Sequence, residues 1–373
     1  MKPTVVPNLS ISRNVGLDLL RMLAILLVLW SHPPLHGSGV IELLSDRLGP
    51  TGVDLFFVLS GFLIGSLLFD ELSKTDNLDV KRFWIRRFLK IVPPYLILVI
   101  VGTFLNISRN LQRPLDGLFA MWPNFVHIQN YIHGERPLGQ TWSLAVEEHF
   151  YLLLPILLSA LVMRKLIWNS FPMFAIATLA ISFVFRLTLM DVPYSPQTHI
   201  FATHIRIDNL MLGVLLAWLA KVDHPVLAFL MKHRFLMSLV AIVCIAIPTF
   251  FERSDRFVFT VGYSLFAVGY AIIVVLAYKT TLQVDTSRLT LFQKAGILVG
   301  QCSYSIYLWM AIMAGRPLEF FASRVKFDSS LAYWVFLIIY FVWASTIGIV
   351  MHRIVEIPIN AFRNKLYPRA VTT

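Results

Sequence analysis

The chain has 373 residues, of which 57% are hydrophobic, 13% aromatic and only 14% charged, a balance too apolar for one water-soluble domain of this size. Its formal net charge of +11 is placed mainly in the connections on one side of a membrane topology, so membrane orientation accounts for it and nucleic-acid binding is not needed. The two cysteines, Cys244 and Cys302, fall in opposite halves, so neither a disulfide framework nor a Cys-based metal site is expected.

Apolar runs near twenty residues predict about ten transmembrane helices, centred near Ala24, Ser60, Leu98, Tyr151, Thr178, Met211, Ala241, Ala267, Ile306 and Tyr340. The expected fold class is an all-α integral membrane protein, residues 1–373 forming a single transmembrane domain with no appended soluble domain. An even helix count puts both termini on one side, and the positive-inside rule makes that side cytoplasmic. The basic N-terminal tail precedes an apolar run as a signal peptide would. Ser31-His32-Pro33-Pro34 replaces a small-residue cleavage site, so the run reads as a retained helix.

The first helix carries Arg21 and His32, where a plain anchor would carry neither. Their eleven-residue offset is about three helical turns, which puts both on one face about 16 Å apart along the axis. Ionisable groups at membrane depth face a protein interior or wet cavity, so this pair marks a functional site. An imidazole suits a general base; the plainer reading of His32 is a helix-end cap. Asp18, one turn before Arg21, offers a structural ion pair, compatible with the guanidinium also holding a phosphate or a thioester arm.

Asp54 opens the second helix, and a basic inner loop, Glu71 to Arg87, leads to the third. Arg86, Arg87 and Lys90 stand at its cytoplasmic mouth, placed either to grip the phosphates of a nucleotide-bearing donor or simply to set topology. The longest connection, about Asn106 to Gln140, carries Trp122, Phe125, Tyr131 and His133, which suit a re-entrant piece or interfacial anchors. Trp142, Glu147, Glu148, His149 and Tyr151 follow in the fourth helix. Glu147 is positioned to orient His32, to polarise an acceptor hydroxyl, or to counter Arg186 or Arg206. Arg186 lies late in the fifth helix, and Arg206 and Asp208 precede the sixth. Acids, bases and cations from distant segments thus reach one depth, near the outer ends of their helices. Arg21 lies nearer the cytoplasm.

The chain resembles the acyltransferase 3 family of multi-pass membrane acyltransferases in seven segments taken in order: Leu17 to Arg21 through His32, Gly52 to Phe62, Arg86-Arg87 through Pro93, Trp142-Ser143-Leu144 to Glu147, Arg206 through Gly213, Ser303 to Leu308, and Glu356-Ile357-Pro358. The resemblance implies O-acylation, usually O-acetylation, of a carbohydrate or glycolipid acceptor, with acetyl-CoA or another acyl-CoA as cytoplasmic co-substrate and no permanently bound cofactor. It implies a bacterial inner-membrane location with envelope-biosynthesis proteins as partners. The family's Arg-to-His motif maps onto Arg21 and His32, and its paired arginines onto Arg86 and Arg87. Lys90 stands where an arginine is common, and Trp309 where a histidine is frequent.

The expected mechanism has acyl-CoA docked on Arg86, Arg87 and Lys90, its thioester threaded past Arg21, and His32, oriented by Glu147, deprotonating the acceptor; a transient acyl-histidine is the alternative course. Asp18, Asp54, Trp142, Arg186, Arg206, Asp208, Ser303 and Tyr307 are expected in acceptor contacts or the supporting network. The rival classes are a secondary transporter, which would also embed charges and helix-breaking Pro and Gly, and a flippase or export partner that moves glycans without changing their mass.

Overall fold

A computed structural model describes residues 14–33, 39–109, 111–132, 138–281, 289–315, 317–318 and 330–368. The described residues are 84% helix, with no strand among them. In order the helices are α1 (Val15–Trp30), α2 (Val40–Leu48), α3 (Gly52–Thr75), α4 (Val80–Arg109), α5 (Pro114–Phe119), α6 (Trp122–Phe125), α7 (Trp142–Met163), α8 (Ile167–Thr188), α9 (Ile207–Lys221), α10 (Pro225–Lys232), α11 (Arg234–Thr249), α12 (Tyr263–Thr280), α13 (Leu291–Gln301), α14 (Ser303–Trp309), α15 (Ser330–Met351) and α16 (Ile357–Leu366).

All ten predicted centres fall in helices, yet length and composition support six to eight spans among the described residues, not ten. Six segments are long and apolar enough alone. Two more count only if the bent pairs α9–α10 (97°) and α13–α14 (59°) are each taken as one span. The first bend has a local cause: Asp223 adopts φ 47° and Pro225 opens the next helix. Helices α1 and α11 have 16 residues each, short of the roughly 20 a perpendicular crossing takes. Helix α1 stops ahead of Pro33, where Ser31 Oγ donates to the Val28 carbonyl.

The basic inner loop is also shorter than expected. Helix α3 runs on to Thr75 and α4 begins at Val80, leaving a turn in which Asp76 takes φ 53° and Asp79 Oδ1 accepts the Arg82 amide at 2.9 Å. Arg86 and Arg87 therefore stand, with Lys90, on a helix rather than at the end of a loop. The 106–140 connection folds back on α4: Asn106 Nδ2 donates to the Gly117 carbonyl, Tyr95 Oη to that of Asn124 and Gln129 Nε2 to that of Thr141. Trp122, Phe125 and Tyr131 are exposed along it, and His133 lies outside the described residues.

Glycine sets the central crossing. A Cβ on Gly61 would sit 1.9 Å from the Leu210 carbonyl oxygen, and one on Gly213 would sit 2.2 Å from that of Val58. Parallel helices α3 and α9 thus approach backbone to backbone, as small residues allow. Ion pairs close both ends of this crossing: Arg206 Nη2 to Asp54 Oδ1 at 2.6 Å, and Lys221 Nζ to Asp70 Oδ1 at 2.5 Å. Gly300 does the same for α1 and α13, its hypothetical Cβ falling 1.9 Å from the Asp18 carbonyl oxygen. The bundle therefore has two chemically distinct ends. One gathers His32, Asp54, Trp142, Arg186 and Arg206; the other gathers Asp18, Arg21, Arg87, Lys90 and the start of α16.

Candidate active site

At the first end, His32 follows the last turn of α1. Its Nδ1 lies 2.9 Å from the Val28 carbonyl oxygen and 2.8 Å from Ser31 Oγ. A carbonyl only accepts, and Ser31 already donates to that same carbonyl, so Nδ1 carries the proton and the tautomer is assigned from this network. Nε2 keeps its lone pair and has no hydrogen-bond partner among the described residues. The main chain thereby fixes the ring as a base at its outward nitrogen.

At the same end of the bundle lies a buried charge network. Asp54 Oδ1 accepts from Arg206 Nη2 and, at 2.7 Å, from Asn209 Nδ2. Arg186 Nη1 pairs with Asp208 Oδ2 at 2.8 Å, and its Nη2 donates to Ser264 Oγ at 2.8 Å. The carboxylates that meet Arg206 and Arg186 are therefore Asp54 and Asp208, not Glu147. Neutralising such charges with partners makes their burial tolerable. The Arg206 guanidinium also lies over the Tyr263 ring, 4.0 Å from its centroid. Trp142 stacks on Phe201 with centroids 4.8 Å apart. A cleft opens here, lined by Asp54, Trp142, Arg206, Arg253 and Tyr263 among others. Arg253 lies within electrostatic reach of His32, Asp54 and Tyr263, which ties the cleft to the imidazole.

At the second end, Arg21 Nη1 meets Asp18 Oδ1 at 2.5 Å, and Asp18 Oδ2 accepts from Gln301 Nε2 at 3.1 Å. The one-turn pair read from the sequence is present. Lys90 lies within electrostatic reach of Arg87, Arg21, Glu356 and Arg363, and the Arg87 guanidinium sits 4.9 Å from the centroid of the Tyr151 ring. Arg86 turns elsewhere for one of its contacts, donating to the Tyr367 carbonyl. Arg21, Arg87 and Lys90 thus converge with Arg363, a cation suited to phosphates.

Glu147 belongs with this second group. Its Oε1 accepts from Ser60 Oγ at 2.7 Å and its Oε2 from Tyr151 Oη at 3.2 Å, and Arg87 and Lys90 are the cations within its reach. No hydrogen bond joins Glu147 to His32 among the described residues; the main chain, not this carboxylate, orients the imidazole. Glu147 and Lys90 are surrounded by protein yet keep accessible surface, as residues lining an internal crevice do. Ser303 is buried at the start of α14, and Tyr307 Oη bonds Ser143 Oγ at 2.6 Å and the Gln140 carbonyl, bracing α14 on α7.

Several members of the two clusters carry no sequence signal of their own. Arg253 reads as an ordinary loop cation and Arg363 as a tail cation. Asn209 is findable by helical spacing from Arg206, lying one turn on along the same face, whereas Ser60 is offset by about a third of a turn from the face of Asp54. Among the described residues no group of three or more metal-ligating side chains occurs.

Comparison with known proteins adds a family. The chain is 28% identical over 332 residues to the O-acetyltransferase OatA of Staphylococcus aureus strain NCTC 8325, covering 84% of this chain and 53% of that protein. A putative O-acetyltransferase of S. aureus strain COL is 29% identical over 314 residues, covering 79% of this chain and 49% of the relative. The chain thus spans about half the length of the curated relatives it matches. No solved structure matches. The acyltransferase-domain profile of the acyltransferase 3 family matches residues 14–353, nearly the whole chain, and with the ordered motifs and the buried polar network now in place, this chain belongs to that family.

Proposed function

We propose that the chain is a multi-pass membrane O-acetyltransferase of a bacterial inner membrane, with both termini cytoplasmic. Acetyl-CoA binds at the Arg21, Arg87, Lys90 and Arg363 end, and a carbohydrate or glycolipid hydroxyl is acylated at the His32 end. The observation that carries this reading is the His32 tautomer. A protonated Nδ1 held by the Val28 carbonyl leaves Nε2 as acceptor for the hydroxyl proton.

The acceptor oxygen, on giving its proton to Nε2, attacks the thioester carbonyl carbon. The carbon–sulfur bond then breaks, and the leaving thiolate takes the proton back from the imidazolium. Glu147, held by Ser60 and Tyr151, acts as a positioning residue along the donor path, where Arg87 and Lys90 offset its charge. Arg186 with Asp208, and Arg206 with Asp54, hold the acceptor end in shape. Envelope-biosynthesis proteins are the partners that would supply or receive the glycan.

Purified protein given labelled acetyl-CoA and fractionated envelope glycans tests the reading. Transfer of label to a glycan ester is expected from wild type, and His32→Ala should lower it by about 10²- to 10⁴-fold while membrane insertion and thermal midpoint stay put. A well-inserted His32→Ala protein with wild-type transfer would refute the assignment. Glycan moved across vesicles without gain of an acetyl group would favour the transporter or export reading.

A further inference from the structure

We propose that the cleft beside His32 is an acceptor subsite selective for a sugar ring bearing an anionic substituent, a carboxylate or a phosphate, gripped by Arg253 and Arg206. This rests on the acyl-transfer reading for its chemistry and narrows the acceptor class. Charge within the cleft is the first observation. Three guanidinium groups, Arg47, Arg206 and Arg253, line it against the single carboxylate of Asp54, and that carboxylate is already committed to Arg206 and Asn209. Arg47 is held by the Thr249 and Phe250 carbonyls, neutral acceptors that leave its charge in place. Arg253 has no hydrogen bond or ion pair among the described residues.

Unmet hydrogen-bonding capacity is the second. Arg206 is 2% exposed, yet among the described residues its Nε and Nη1 have no hydrogen-bond partner, and neither does the hydroxyl of Tyr263, which is 3% exposed. Buried donors without acceptors are costly and rare. Water would satisfy the donors but leave the positive charge uncompensated between walls such as Pro50, Val53, Pro248 and Phe266. An anion answers both. The apolar walls suit the apolar face of a pyranose ring. Because Arg253 lies within electrostatic reach of both His32 and Asp54, an anion held there sets the ring beside the His32 base, so the contact that selects the sugar also positions its hydroxyl.

The test uses the full chain in nanodiscs and calorimetric binding of methyl glucuronide, methyl glucoside 6-phosphate and neutral methyl glucoside. At least one anionic glycoside should bind about tenfold more tightly than the neutral one, as charge-assisted hydrogen bonds predict. The preference should vanish in Arg253→Ala, which has no protein partner to lose and should keep its thermal midpoint, and return in part in Arg253→Lys. The tighter of the two anionic probes identifies carboxylate or phosphate as the group recognised. Equal binding of neutral and anionic sugars, no binding of either anionic probe, or a preference that survives Arg253→Ala overturns the proposal. Labelled acetyl-CoA separates the two levels. Anion-selective binding with no acetyl ester formed sinks the acyl-transfer reading alone, whereas equal acetylation of neutral and anionic sugars sinks the selectivity alone.

Discussion

Replacing Gly61 with alanine should disable the protein from a position that touches no reacting group. The added Cβ would lie 1.9 Å from the Leu210 carbonyl oxygen, whereas carbon and oxygen ordinarily approach no closer than about 3.3 Å. The obstacle is backbone, so relief requires α3 and α9 to part by about 1.4 Å. Asp54 lies two turns from Gly61 on the same face of α3, and its 2.6 Å bond to Arg206 would stretch to about 4 Å, beyond hydrogen-bonding range. Overpacking costs roughly 1–3 kcal/mol and a lost charge-assisted hydrogen bond about 1.5–3 kcal/mol, so a total of about 2.5–6 kcal/mol is expected. The assay is thermal unfolding of the detergent-purified protein alongside acetyl transfer. Gly139→Ala is the control, since a Cβ there meets nothing within 4 Å and should shift stability by less than about 0.5 kcal/mol. A Gly61→Ala protein that melts and transfers like wild type would show that the helices do not cross this closely.

The opposite end of the same crossing offers a second test. Asp70→Asn strands Lys221, whose side chain is fully buried, and should cost about 3–5 kcal/mol, while the double change Asp70→Asn with Lys221→Met should restore most of it; a double mutant no better than the single would count against the ion pair. Stability should also fall in mild acid. Burial pulls the His127 imidazole from 6.5 down to about 4, so the unfolded chain binds the proton more readily than the folded one. The contribution is intact above about pH 6.5 and is lost as pH falls from there toward 4. His127→Gln should flatten the melting-temperature profile across that window, and an unchanged profile would remove His127 as its source.

Local features of this chain were legible in its sequence, and tertiary ones were not. The Asp18–Arg21 pair lies one turn apart on one helix, so spacing alone revealed it. Asp54 with Arg206 and Asp208 with Arg186 are contacts between α3, α8 and α9, and to a sequence reader Glu147 was an equally good partner for either arginine. The stretch from Glu71 to Arg87 reads as loop because its charges depress hydropathy, although Lys and Arg are good helix formers and Asp79 caps the helix that carries Arg82, Arg86 and Arg87. Hydropathy windows also pass over the bend at Cys302, which breaks the helix within an apolar run. Arg253 was invisible because nothing local separates it from any other loop cation; only the packing of α3, α11 and α12 brings it beside His32.

These contacts also divide the protein mechanically, in a way that bears on enzyme against transporter. Asp54 and Asp70 lie sixteen residues apart on α3, about 24 Å, most of a hydrocarbon core of about 30 Å. A helix pair pinned at one end by a buried ion pair and at the other by a half-buried one, with backbone in contact between them, resists the domain rocking that alternating access demands. The side where α4, α7 and α14 meet is held more lightly, by hydrogen bonds such as Tyr304 Oη to the Ile91 carbonyl at 2.7 Å and Ser143 Oγ with Tyr307 Oη. Lys90 on α4 and Glu147 on α7 keep accessible surface there. An extended thioester arm needs only that seam to part by the width of a chain, with the α3–α9 core unmoved. A bulky solute carried whole across the membrane would need the core itself to open.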